Sequence, residues 1–248
     1  MISRNKLAAL VAELMGVVVL VTAVYSMVAR TSFPLFGGLA AGLTLGVLVY
    51  TVGNTSGAHV NPAITLGLWS VRKINTLKAL SYIAVQMLGA FAAWKLINYF
   101  LGSDIQSIAN KFDVKVLVAE AVGALVFGFG VASAVYQKFE GEKLAFTVGG
   151  SLTLGILVAS LGSNGVLNPA VALGLQSWNA AYVAGPIIGS IVGMNLYALL
   201  FADGVVLGGP VRLPRLHITR AAAAPARSSK TKSSAKKKTT KKSTSKKR

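Results

Sequence analysis

Residues 56–65 read SGAHVNPAIT, and the Asn61-Pro62-Ala63 at the centre of that stretch recurs 107 positions later as Asn168-Pro169-Ala170. Each Asn-Pro reads as a helix start, with Asn as the cap and Pro at the first helical position, where its missing N–H costs nothing. The helices so opened, Asn61–Val71 and Asn168–Ser177, are too short to cross a bilayer, which takes roughly 20 residues. Around them lie six apolar stretches of spanning length: Leu7–Ala29, Leu35–Gly53, Leu77–Leu101, Val114–Tyr136, Leu144–Gly162 and Ala180–Ala202. The first is too long for a cleavable signal peptide, and further spans follow it.

The repeat extends beyond the tripeptide. Ala12-Glu13-Leu14-Met15-Gly16 matches Ala119-Glu120-Ala121-Val122-Gly123 at the same offset, so Glu and Asn stand 48 residues apart in both halves. Leu43-Thr44-Leu45-Gly46 recurs as Leu152-Thr153-Leu154-Gly155 at an offset of 109, which reads as a small length change before the second Asn-Pro-Ala. Three spans per half is an odd number, so the second copy enters the membrane upside down, a common plan for transport proteins. The two short helices then come in from opposite faces and meet near the midplane. Their N-termini carry partial positive charge and free N–H groups. The non-helical backbone leading into them is tolerable only where protein or water covers it, which implies a water-lined path. A carboxylate within a span is costly and usually functional. Glu13 and Glu120 are therefore expected to accept hydrogen bonds from the re-entrant loop of their own half; the alternative is a neutral Glu satisfied by a local carbonyl. Glycines at four-residue intervals, Gly38, Gly42 and Gly46 and again Gly185, Gly189 and Gly193, read as ridges for close helix packing.

Composition agrees. Hydrophobic residues make up 54% of the 248, and charged ones 13%, half the roughly 25% of a soluble domain. The net charge of +18 is concentrated: fourteen Lys and Arg and no acid lie between Arg212 and Arg248, leaving eleven basic and seven acidic residues in Met1–Val211. This excludes a soluble enzyme and a wholly basic nucleic-acid-binding domain, and the lack of cysteine excludes disulfides. Nothing resembles a nucleophile–base pair, a metal cluster or a phosphate loop, so neither catalysis nor a cofactor is expected. Between the spans, Arg4, Lys6, Arg72, Lys73, Lys78, Lys138, Lys143 and the tail fall on one side. Arg30, Lys111 and Lys115 fall on the other, placing both termini in the cytoplasm. From Arg220 the tail has no apolar residue larger than Ala or Pro and is expected to be disordered. It has three readings: contact with anionic lipid, contact with nucleic acid, or a solvated topology anchor.

The early AEL-x-G, SGAHVNPAIT at Ser56–Thr65, AEAVGALVF at Ala119–Phe127 and the second NPA at Asn168 together resemble the aquaporin, or major intrinsic protein, family over about residues 5–203. The resemblance implies an all-α integral membrane protein: an inverted repeat of six transmembrane helices plus two re-entrant half-helices, with the disordered basic tail appended. It divides the chain into a channel domain, residues 1–211 with halves of about 5–105 and 112–205, and the tail, residues 212–248. It further implies a pore in each protomer, a homotetramer and a plasma-membrane location. Asn61, Pro62, Ala63 and Asn168, Pro169, Ala170 would form the facing caps, with the two Asn amides offered to the permeant's oxygen. Carbonyls from Gly57–Val60 and Asn164–Leu167 would line the path. His59 is expected to be structural and hydrogen-bonded, with pH sensing as the other reading.

The sequence departs from the family at the outer constriction. Most members place Arg directly after the second NPA; here that position is Val171, and its companions are Ala41, Ile156 and Gly165. Two small and two aliphatic residues predict a wide, apolar, uncharged filter passing water and small neutral solutes such as glycerol or urea. A dewetted constriction is the opposing expectation. An ion-coupled secondary transporter and a poorly conducting anchor that displays the tail are the competing functional classes.

Overall fold

The protein is described here by a computed structural model covering residues 3–106 and 111–202. The basic tail, residues 212–248, lies outside the described residues. Eight helices and no strand occur among them: α1 (Arg4–Val28), α2 (Pro34–Ser56), α3 (Pro62–Ser70), α4 (Thr76–Leu101), α5 (Val114–Tyr136), α6 (Gly141–Ala159), α7 (Pro169–Gly174) and α8 (Ala180–Phe201). Six of them, 19 to 26 residues long, are long and apolar enough to cross a bilayer. At about 1.5 Å per residue the shortest spans roughly 28 Å, close to the thickness of a hydrocarbon core. The expected spans are recovered to within a few residues.

Helix starts follow from short polar caps: Asn75, Asp113 and Asn179 each accept an N–H of the first turn, at 2.8, 2.7 and 2.8 Å. The second half-helix is shorter than the sequence suggests, ending at Gly174 rather than Ser177. Gln176 takes φ 55°, and Ser177 N donates back to Ala172 O at 2.8 Å, a closure that turns the chain out of the helix. Arg72 and Lys138 end α3 and α5 the same way, at φ 59° and 54°.

Packing of α2 on α6 fixes the relation between the halves. A Cβ on Gly42 would overlap the Gly149 carbonyl, and a Cβ on Gly149 would overlap the Gly42 carbonyl. On one side of this crossing Thr153 Oγ1 donates to Gly38 O at 2.9 Å; on the other, Gly46 faces Ala145. Residue i of α2 is therefore related to i+107 of α6, with no length change. The offset of 109 suggested by Leu-Thr-Leu-Gly is overturned by exposure: Leu45 is 2% exposed and Leu154 58%, whereas Leu152, the mate of Leu45 at 107, is 3% exposed. A slip of two residues turns a helix face by about 200°, so the tetrapeptide match pairs residues that point opposite ways. On the other side of the bundle, Gly185, Gly189 and Gly193 lay α8 against the carbonyls of Leu117, Ala121 and Leu125 on α5.

Gly42→Leu should wedge α2 away from α6 and lower stability by about 1–3 kcal/mol, read as a fall in the thermal midpoint in detergent. Gly150→Ala, where an added Cβ meets nothing within 4 Å, should leave the midpoint unchanged or raise it.

Candidate functional site

The two re-entrant segments meet head to head. Asn61 Oδ1 caps α3 by accepting from Ala63 N at 2.8 Å, and Asn168 Oδ1 caps α7 by accepting from Ala170 N at 2.9 Å. Their amide nitrogens cross over: Asn61 Nδ2 donates to Leu167 O at 2.9 Å and Asn168 Nδ2 to Val60 O at 3.0 Å. An amide group has two N–H donors, so each Asn retains one after tying its loop to the other.

Chain direction before each Asn is set by residues in the left-handed region, Ala58 and Val60 at φ 47° and 40°, Gly165 and Leu167 at 63° and 53°. That conformation is rare for a β-branched residue such as Val60, and it is held from behind. The Glu13 carboxylate, fully buried, accepts from His59 N at 2.9 Å and Val60 N at 2.7 Å. Glu120, also fully buried, accepts from Val166 N at 2.9 Å and Leu167 N at 2.6 Å. Gly16 makes room for the Val60 side chain, and Gly123 for the Gly155 carbonyl and Ala159 of α6 together with the Leu167 side chain.

Several members of the site are not singled out by sequence reasoning. Ser56 Oγ accepts from Ala58 N at 2.9 Å and Ser163 Oγ from Gly165 N at 3.0 Å. Tyr82 OH donates to Ser56 O at 2.7 Å, and Asn164 N donates to Tyr182 OH at 3.3 Å. Gln86 Nε2 donates to Glu13 Oε2 at 2.8 Å and Ser163 Oγ to Glu120 Oε1 at 2.8 Å. The signal was available: Ser56 and Ser163 share the 107 offset, and Gln86 is a polar residue inside an apolar span.

His59 is 6% exposed, with Tyr82 edge-on at 5.2 Å between ring centroids. Its Nδ1 lies 3.2 Å from Thr65 Oγ1. The Thr65 hydroxyl donates to Asn61 O at 2.9 Å, so its oxygen is the acceptor toward His59. This assigns the ring proton to Nδ1 and leaves Nε2 as an acceptor.

Ala41, Ile156, Gly165 and Val171 lie on the wall of one cavity of about 410 Å³. It extends from Val28 and Phe33 at its mouth to Asn168, where the two half-helices meet, and among the described residues none on its wall is charged. Glu13, Glu120, His59 and Asn61 lie outside that wall. Among the described residues no cluster of His, Asp or Glu has the arrangement of a metal site.

Residues 2–197 match the family described as Major intrinsic protein. The chain is 30% identical over 188 residues to Aquaporin AqpM of Methanothermobacter thermautotrophicus, covering 67% of this chain and 76% of that protein. It is 30% identical over 225 residues to Aquaporin Z of Photorhabdus laumondii, covering 78% and 97%, and 31% identical over 217 residues to Probable aquaporin NIP7-1 of Arabidopsis thaliana, covering 79% and 78%. Among solved structures it is similar in fold to the aquaglyceroporin from Plasmodium falciparum, with a TM-score of 0.65 at 20% identity over 78% of this chain and 96% of that one.

Glu120→Ala strands the Val166 and Leu167 N–H groups at about 1–3 kcal/mol each. Glu120→Gln keeps the shape but turns one acceptor into a donor facing a donor. Both should lower the thermal midpoint of the detergent-solubilised protein, while Glu142→Gln, on the exposed start of α6, should not.

Proposed function

Because the chain belongs to the major intrinsic protein family, we propose that it passes water and small neutral solutes such as glycerol and urea through a wide, apolar outer ring. The family makes it a passive multi-pass membrane channel and not an enzyme. The finer reading rests on one observation: the cavity runs from its mouth to Asn168 past Ala41, Ile156, Gly165 and Val171 without meeting a charged side chain.

The physical consequences follow from size and polarity. Arg at position 171 would fix a positive charge in a narrow low-dielectric passage, where repulsion of a cation is strong. Val171 supplies neither that charge nor a hydrogen-bond donor. Rejection of cations then falls to the two half-helix N-termini at the midplane, whose partial positive charges face one another. A permeant there is offered the remaining N–H of Asn61 and of Asn168, with carbonyls of Gly57–Val60 and Asn164–Leu167 as acceptors along the path. The loop-bracing role falls to Glu13 and Glu120, through the backbone bonds described above.

The channel domain is taken as residues 1–211, a homotetramer in the plasma membrane with both termini cytoplasmic. On that side Arg4, Lys6, Arg72, Lys73, Lys78, Lys138 and Lys143 outnumber Arg30, Lys111 and Lys115 on the other. The tail of residues 212–248 would then meet anionic lipid, at about 1 kcal/mol per basic residue near the surface.

The test is stopped-flow light scattering on proteoliposomes under water, glycerol and urea gradients. Val171→Arg should cut glycerol and urea entry far more than water flux; fast water flux with no glycerol or urea entry through the native chain would sink the wide-filter reading. Removing residues 212–248 should leave all three permeabilities unchanged.

A further inference from the structure

The outer ring does not pinch the path. One cavity passes Ala41, Ile156, Gly165 and Val171 and reaches Asn168, and its wall stops there: His59, Ile64, Phe127 and Val148 are not part of it. The two-fold relation between the halves says what stands in their place on the other side of the midplane. An offset of 107 relates Glu13 to Glu120, Gly16 to Gly123, the left-handed Ala58 and Val60 to Gly165 and Leu167, and Gly42 to Gly149 across the α2–α6 crossing. It carries the outer wall onto the inner one. Leu20 becomes Phe127, Ala41 becomes Val148, Gly165 becomes Ala58, Val171 becomes Ile64, and Ile156 becomes Val49. At four of these five places the inner residue is larger. Gly37, on the outer wall, becomes Leu144. Phe127, Val148, Ile64 and Val49 are as buried as their outer mates and share one apolar cluster with them, so the difference between the halves is one of side-chain size.

Resting on the reading of the chain as a channel, we infer that solutes are selected by size in the inner half-pore, walled by Phe127, Val148, Val49 and Ile64, and not at the outer ring. The same relation places His59 where the outer half has Val166. The apolar inner passage therefore offers a permeant one side-chain acceptor, the Nε2 of His59, just beyond the asparagine donors. The class that fits is a slim neutral molecule that donates a hydrogen bond: water, and small solutes whose –OH or –NH₂ groups enter end-on. Longer polyols enter the outer cavity and stop at the midplane.

The test enlarges the inner wall with residues the outer half already carries at the equivalent positions: Phe127→Leu and Val148→Ala, singly and together. Proteoliposomes are assayed for water, glycerol and the four-carbon polyol erythritol. The native chain should pass water and exclude erythritol. Each enlargement should raise the erythritol-to-water permeability ratio, by about tenfold in the double variant, and Val148→Phe should lower glycerol entry. Water flux retained with an unchanged erythritol ratio in both single variants overturns the inner constriction. Erythritol passing the native chain as fast as glycerol overturns it as well. Absence of water flux from the native chain sinks the channel reading itself, and this inference with it. If Phe127→Leu fails to fold, Val148→Ala alone decides, because its side chain takes no part in the hydrogen bonds that hold the loops.

Discussion

Two helix N-termini aimed at each other across a membrane midplane repel, since each carries about half a positive charge and unsatisfied N–H groups. The rest of this structure depends on holding them there. The Asn61 and Asn168 amides supply the direct link, each bonded to the carbonyl before the other's Asn. Behind them stand Glu13 and Glu120, which accept the N–H groups that left-handed backbone turns away from any helix. Those carboxylates must sit on spans packed directly against the loops: Gly16, one turn further along α1, leaves its space to Val60, and Gly123, at the same place on α5, to Leu167 and to the α6 backbone at Gly155. The 48-residue spacing from Glu to Asn in each half is the sequence record of this geometry.

The frame is two-fold, but its supports are not. In the first half His59, Thr65 and Gln86 form a continuous hydrogen-bonded group that ends on Glu13. Their mates in the second half are Val166, Ala172 and Pro186; the last pairing follows from Gly89 on the Leu14 carbonyl and Gly189 on that of Ala121, its mate. Pro186 has no polar side chain and no N–H to give. The third bond to Glu120 comes instead from Ser163 within the loop itself. Both loops also meet a neighbouring span through a tyrosine, Tyr82 or Tyr182, but only in the first half does that span add a side chain, Gln86, to the buried Glu.

Much of this was legible in the sequence because it is periodic. Span lengths, the repeated Asn-Pro-Ala and the paired Glu residues carry their own spacing, and the half-helix caps follow from Asn-Pro alone. The Leu-Thr-Leu-Gly match misled because Leu, Thr and Gly fill both the lipid-facing and the buried faces of a membrane helix, so only burial tells Leu45 from Leu154. The end of α7 was misplaced because Gln176, not glycine, takes the left-handed position. Gln86 and Tyr82 are not legible for a different reason: their partners are remote in sequence, and a single polar residue in a span does not name the group it meets.

A frame and a wall made of different residues can change independently. The hydrogen bonds that hold the midplane run through Glu13, Glu120, Ser56, Ser163, Asn61, Asn168 and backbone groups. None uses the side chain of Leu20, Ala41, Ile156, Val171 or their mates Phe127, Val148, Val49 and Ile64. Exchanging these side chains alters packing but strands no buried donor, so its cost is a matter of volume. A family arginine can thus be absent at Val171 without loosening the loops on either side of it. The same separation allows the side chains of the two halves to differ, as Ala41 and Val148 do, while the backbone that carries them keeps its symmetry.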